Sequence, residues 1–135
     1  RHSVPSAISN QDVRLVVART AKATFKGRIY VPQVAQLTDA SQLCRTAILS
    51  NEASVTVMPS LEIIADNVKC AHGATVADLD GEALFFLTAR GLPVDTARAL
   101  LVKGFCDSLL DQLPGTVDPT LRTTFDTAID NLVTR

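Results

Sequence analysis

The chain has 135 residues, 47% of them apolar, which suits one compact unit with a substantial core. A net charge of −1 excludes the strongly basic face of a nucleic-acid-binding protein, and no apolar run approaches the ~20 residues that span a bilayer. Cys44, Cys70 and Cys106 form an odd set without a CxxC spacing, which favours a reducing compartment over a disulfide-linked secreted fold.

Up to residue 79, apolar residues recur with the period of two that is typical of half-buried strands. In Lys22–Val31, alternate residues would form one buried face, within a single strand or within two strands joined at Gly27. Val13–Val17, Ala53–Val57 and Leu61–Ala65 alternate in the same way. Turn-forming clusters separate the strands at Ser9-Asn10, Thr38-Asp39, Ser50-Asn51 and Asp66-Asn67.

These strands follow one another with no helical segment and no Asn-Gly or Asp-Gly hairpin between them. Short reversals of this kind favour a solenoid or β-helix of stacked strands, with a β-sandwich as the competing fold. An internal repeat is weak, because Cys44 and Cys70 stand in only loosely similar surroundings. The prediction for residues 1–79 is therefore a coil of strands.

From Asp80 onward the pattern becomes helical. Asp80 suits the N-cap of a first helix that runs to about Arg90, with Gly91 just past its end. A second helix would begin at Pro93, and a third at Asp118-Pro119. We therefore predict an α+β chain in which strands at 1–79 are followed by a bundle of about three helices at 80–135.

The second and third predicted helices each carry an apolar stripe at three- and four-residue spacings. The second would end at Pro114-Gly115, and its stripe is Ala97, Leu100, Leu101, Phe105 and Leu109. The stripe of the third is Leu121, Phe125, Ala128, Ile129 and Leu132. Gly104 interrupts the second helix, where a glycine costs ~1 kcal/mol relative to alanine, so either close packing within the chain or a docking surface would explain it. Helical spacing explains Cys106 without any chemistry.

The segment Leu61–Gly91 reads LEIIADNVKCAHGATVADLDGEALFFLTARG, and it closely resembles the signature of the SufB/SufD family of iron–sulfur cluster assembly scaffold proteins. Flanking stretches extend the resemblance: KGRIYVPQVAQLTDASQ is similar to the preceding strand coils, and ARALLVKGF to the helix that follows. Together they cover about Val13 to Leu113. Glycine at position 73, after His72, favours the SufD branch, since SufB-like members carry glutamate there.

This resemblance implies the end of a right-handed parallel β-helix followed by a C-terminal helical domain. It also implies a non-enzymatic scaffold, whose partners would be a SufC-type ABC ATPase on the helical domain and a SufB-type scaffold, or a second copy, along the β-helix. The cytoplasm of a bacterium or a plastid stroma would be its compartment. Family members are several times longer, so we expect either a fragment of a larger protein or self-association through a cut strand edge.

Cys70 and His72 are two residues apart, so on a strand they would share a face ~7 Å apart and could approach one soft metal. Read without context, the pair is a buried cysteine and a structural histidine. The resemblance implies that His72 is a ligand of an iron–sulfur cluster held transiently at a subunit interface. Cys44 matches, loosely, the stretch where SufB-like members carry an essential cysteine.

A different class of function is a thiol-dependent enzyme with Cys70 as nucleophile and His72 as base, which would require a low cysteine pKa. No phosphate-binding GxxxxGK[ST] motif is present, so the chain does not itself hydrolyse ATP. Three consecutive apolar residues in the first helix cannot all face one core, which predicts a partner-binding surface there. The predicted docking residues are Leu84, Phe85, Phe86, Arg90, Gly91, Leu101, Gly104 and Phe105.

Overall fold

The computed structural model describes residues 1–113 and 117–133. Its strands are β1 (Ile8–Val17), β2 (Lys22–Val31), β3 (Asp39–Ile48), β4 (Ser54–Ile63) and β5 (Lys69–Asp78). Its helices are α1 (Gly81–Thr88), α2 (Val94–Leu110) and α3 (Pro119–Val133). The predicted order of strands followed by three helices is confirmed, and the chain is of the α+β class.

Consecutive strands alternate between two sheets. Sheet A has the order β1-β3-β5 and sheet B the order β2-β4, and every pairing is parallel. In sheet A, Ile8 lies beside Asp39, which lies beside Lys69, so each strand stacks in register on the one before it. Because no two consecutive strands pair as a hairpin, an antiparallel sandwich does not fit the described residues.

One detail of the strand prediction was wrong, and the weak internal repeat has no structural counterpart at the two cysteines. Ser9-Asn10 is not a turn, because both residues lie within β1 and pair with Ala40 and Ser41 of β3. Cys44 and Cys70 are not equivalent positions of a repeat. Cys44 lies beside Ala74 and Cys70 beside Ala40, so the two cysteines occupy different levels of sheet A.

Gly27 lies inside one continuous strand, β2, and its missing side chain makes room for Gln42 of the opposite sheet. A Cβ added at Gly27 would lie 2.4 Å from the Gln42 side-chain amide. Gln42 cannot easily move away, because it is buried and its Nε2 donates to Oε1 of Gln11 at 2.7 Å. The glycine thus reflects close packing between the sheets.

Substituting Gly27→Ala is expected to destabilise the chain by about 1–3 kcal/mol, because the added methyl group overpacks the space that Gln42 fills. Urea unfolding followed by circular dichroism measures the change. Gly104→Ala is the matched control: an added Cβ there meets nothing within 4 Å, and alanine favours the helix by up to ~1 kcal/mol. Equal effects at the two positions would contradict the packing role of Gly27.

The N-termini of α1 and α3 follow from local chemistry. Asp80 accepts hydrogen bonds from the backbone N–H groups of Glu82 and Ala83, which confirms it as the N-cap of α1. The Asp118 carboxylate accepts in the same way from Thr120 and Leu121, and these bonds lower the pKa of Asp118. The α1 helix ends at Thr88, slightly earlier than predicted, and α2 ends at Leu110, while Pro114-Gly115 lies outside the described residues.

The buried face of α2 differs from the predicted stripe. Ala97, Val102 and Cys106 are buried, whereas Leu100 is 49% exposed. The face is rotated because α2 packs against both sheet A and α3. One apolar cluster joins the three, and its members are Val102, Cys106 and Ile129, with Val16, Leu49, Leu79, Phe105, Phe125 and Val133 around them. Of the predicted face of α3, Ile129 is buried as expected and Leu121 is exposed.

Candidate metal edge and partner-docking surface

The predicted metal residues lie on one face of sheet A, near its open edge. Cys70 and His72 belong to β5, the edge strand, and Cys44 belongs to β3 beside it. His72 lies beside Gln42, which precedes Cys44 by two residues on β3 and shares its face of the sheet. Among the described residues, sheet A has three strands and sheet B has two, so β5 has no strand opposite it in sheet B. His72 is consequently exposed, whereas Cys44 is 0% exposed between the sheets.

All three thiols are held in their neutral form. Burial raises the pKa of Cys44, and the Thr46 hydroxyl and the Arg14 guanidinium offset this only in part. Burial also raises the pKa of Cys70, and the backbone of Ala40 partly counteracts it. Burial raises the pKa of Cys106 as well. A thiol must lose its proton to act as a nucleophile or metal ligand, so none of these cysteines is activated within the chain.

Within residues 1–113 and 117–133, no three His, Cys, Asp or Glu side chains are grouped closely enough to hold a metal ion. His72 can offer an imidazole nitrogen to a metal ion from an exposed edge. Cys70 could act as a second ligand only after its thiol has lost a proton. A metal ion at this edge would therefore need further ligands from outside the described residues.

Raised thiol pKa values lead to a direct prediction about reactivity. At neutral pH each cysteine is expected to react with iodoacetamide at least about tenfold more slowly in the folded chain than in the urea-unfolded chain, because thiolate fraction and access both fall. Reactivity should increase only as pH rises beyond the ordinary thiol range. Peptide mapping by mass spectrometry follows each cysteine separately. Rapid alkylation of Cys70 at neutral pH would instead support the thiol-enzyme hypothesis.

The α1 helix presents the largest aromatic exposure of the described residues. Phe85 is 74% exposed and Phe86 53% exposed, as predicted for a helix with three consecutive apolar residues. The Arg90 guanidinium stacks over Phe86 at 3.3 Å from the ring centroid, and it also donates to the Phe86 carbonyl oxygen. Gly91 follows with a positive φ of 89°, which turns the chain sharply after the helix. Leu84 is half-buried.

The predicted docking residues on α2 divide into two groups. Gly104 is exposed and faces open space, so close packing within the chain, one of its two explanations, is wrong. Leu101 and Phe105 are half-buried and line a cleft of about 270 Å³ between α2 and sheet A, together with Arg45 and Thr75. Phe105 already packs against other residues of the chain. The accessible part of the predicted docking surface therefore lies on α1 and on the side of α2 that carries Gly104.

Sequence reasoning did not single out Arg14. Its side chain is only 3% exposed, forms an ion pair with Asp12 and lies 5.5 Å from the ring centroid of Phe105. The sequence pattern indicates that a charged residue in a strand faces solvent. The helix that covers Arg14 follows about ninety residues later in the chain, so the local pattern gives no sign of it. Only the docking of α2 buries it.

Parallel strands followed by helices define an α+β protein, in which Cys70 and His72 lie on an edge strand and α1 exposes two phenylalanines. The family model described as "SUF system FeS cluster assembly, SufBD core domain" matches residues 1–105. The chain belongs to the SufB/SufD family of iron–sulfur cluster assembly proteins. No helix among the described residues combines the length and apolarity needed to cross a bilayer.

Three curated relatives illustrate the relationship. A SufBD family iron–sulfur cluster assembly protein of Synechocystis sp. is 46% identical over 82% of this chain and 24% of its own length. The chloroplastic protein ABCI7 of Arabidopsis thaliana is 40% identical over 82% of this chain and 23% of its own length. Iron–sulfur cluster assembly protein SufD of Escherichia coli is 36% identical over 78% of this chain and 25% of its own length. The chain thus spans about a quarter of the length of these relatives.

Proposed function

We propose that the chain is the C-terminal part of a SufD-type scaffold subunit of the Suf iron–sulfur cluster assembly machinery, and that it has no catalytic activity of its own. The match of residues 1–105 to the SufBD core domain carries this proposal. His72-Gly73 favours the SufD branch, and a relative named SufD at 36% identity agrees with it. The neutral thiols argue against the alternative of a thiol-dependent enzyme.

In this proposal the strands form the last coils of a right-handed parallel β-helix. Two observations support it: alternate strands pair in parallel, and each stacks in register on the strand two earlier in the chain. A β-helix grows by this repetition and ends wherever the last strand lacks a neighbour. In the described chain that last strand is β5, and one of its two backbone edges is unpaired.

The unpaired edge of β5 would bind a SufB-type scaffold or a second copy of the chain. Extended strands with free N–H and C=O groups pair readily with another strand. An iron–sulfur cluster would be transient cargo at this junction, with His72 as one ligand and the remaining ligands from the partner. Cys44 and Cys70 remain weaker candidates, since partial or full burial raises both thiol pKa values and each would first have to lose a proton.

The helical part would bind a SufC-type ABC ATPase through the exposed residues of α1, and the positive φ of Gly91 would shape the end of that surface. ATP binding and hydrolysis in the ATPase would then shift the helices relative to the strands and open the junction with the scaffold partner, so that His72 becomes accessible within that junction. Such a shift requires the ATPase to bind two arrangements of the scaffold with different affinities. The relatives' names fit action in a bacterial cytoplasm or a plastid stroma.

A titration of the chain with a purified SufC-type ATPase, followed by calorimetry with and without ATP, tests the proposal. Saturable one-to-one binding whose affinity depends on the nucleotide is expected. Circular dichroism of the same sample shows whether the helices are folded. An absence of binding by a folded chain would overturn the docking role.

A further inference from the structure

The joint between sheet A and the helices contains a buried charge that is only partly satisfied. Arg14 lies on the face of β1 that packs against α2, and its side chain is 3% exposed. Its Nη1 donates to a carboxylate oxygen of Asp12, two residues earlier on the same strand. Its Nε and Nη2 are buried and have no hydrogen-bond partner among the described residues.

The covering element is identified by two observations. The Arg14 guanidinium carbon lies 5.5 Å from the ring centroid of Phe105, at the distance of a cation–π contact. Its charge also lowers the pKa of Cys106, the next residue of α2, although burial outweighs this effect. The guanidinium is thus enclosed between β1 and the stretch Phe105–Cys106 of α2.

Burial of a guanidinium in this position is energetically unfavourable. Water would satisfy Nε and Nη2 if α2 moved away, whereas in the closed arrangement neither group has a hydrogen-bond partner among the described residues. The apolar cluster around Val102 and Ile129 acts in the opposite direction and favours the closed arrangement. The joint is therefore held by apolar packing and weakened by one buried cation.

We propose that Arg14 is a positioning residue at a joint that is built to open: it orients α2 through Phe105 while keeping the helices easy to release from sheet A. The inference concerns the chain alone, so it stands or falls separately from the binding of any ATPase. Arg14 thus sets how easily the helices separate from sheet A, a role that the pattern of apolar residues in the sequence does not indicate.

Hydrogen exchange of the α2 and α3 peptides, measured by mass spectrometry on the whole chain, tests the joint, because helices of this length lose most of their protection once undocked. Asp12→Asn leaves the buried cation without its counter-charge, and exchange is expected to become about tenfold faster. The double variant Asp12→Asn with Arg14→Met replaces the ion pair by uncharged side chains of similar size, and exchange is expected to become about tenfold slower.

The opposite signs of these two effects distinguish the proposal from an ordinary stabilising ion pair. If the pair only stabilised the fold, both variants would exchange faster, and the proposal would be overturned. Lys26→Met is the matched control: Lys26 is an exposed cation on β2 of sheet B, so no change is expected.

Exchange of the β2 and β4 peptides serves as the folding check, since sheet B lies away from the joint. A variant whose sheet B peptides lose protection has unfolded globally, and the comparison then rests on Asp12→Asn, the more conservative change. Unchanged or slower exchange of α2 in Asp12→Asn would also overturn the proposal.

Discussion

Binding of a SufC-type ATPase is expected to weaken by about 100-fold when Phe85 and Phe86 are both replaced by serine. Both rings are more than half exposed, and the Arg90 guanidinium stacks on Phe86, so α1 presents two accessible aromatic side chains. Aromatic side chains that become buried at an interface contribute a large share of its binding free energy. At about 1.4 kcal/mol for each ring, the loss corresponds to two factors of ten.

Because neither phenylalanine is buried, the double substitution should leave the free energy of unfolding within about 0.5 kcal/mol of its original value. Leu100→Ser is the matched control, since Leu100 is also exposed and apolar but lies on α2 outside the predicted docking set. Calorimetric titration provides the affinity, and urea unfolding provides the stability. Equal loss of binding in both variants would point to general surface hydrophobicity and would contradict a specific α1 site.

Loss of iron retention is the second large effect, and it is expected for His72→Ala. We expect at least about a tenfold reduction in iron affinity after anaerobic reconstitution with iron and sulfide, in a complex of this chain with a SufB-type partner. Ultraviolet–visible and Mössbauer spectra distinguish a bound cluster from adventitious iron. The chain alone is expected to retain little iron with or without His72, because its described residues group no three suitable ligands.

His2→Ala is the control for this experiment. His2 is the other histidine of the chain and lies 3.0 Å from the Ser9 hydroxyl on β1. Its replacement should leave the spectra unchanged. Full cluster retention by His72→Ala would remove His72 from the ligand set, whereas binding of the partner itself could still persist. The site and the interface can therefore be judged separately.

Local chemistry made several elements predictable from the sequence. Asp80 and Asp118 cap helices through hydrogen bonds to residues two and three positions later, so neighbouring residues alone determine these helix starts. The alternation in β2 shows directly which residues face inward, because the period of two is a property of the strand itself. The exposed aromatics of α1 follow from three consecutive apolar residues, which no helix can direct to one side.

Other features depended on contacts between distant parts of the chain. The register of β3 against β5 placed Cys44 beside Ala74 and His72 beside Gln42, and of the three predicted ligands only His72 is exposed. The rotated face of α2 resulted from simultaneous packing against α3 and sheet A.

The sequence by itself thus determined the order of strands and helices, the helix starts and the family resemblance, because each is encoded in short stretches of residues. Only the tertiary structure decided which thiols are buried, why Gly27 must be a glycine, and that Arg14 lies enclosed beneath Phe105. Burial and close approach depend on which distant segment covers a residue. The spacing of apolar residues within one strand or helix does not contain that information.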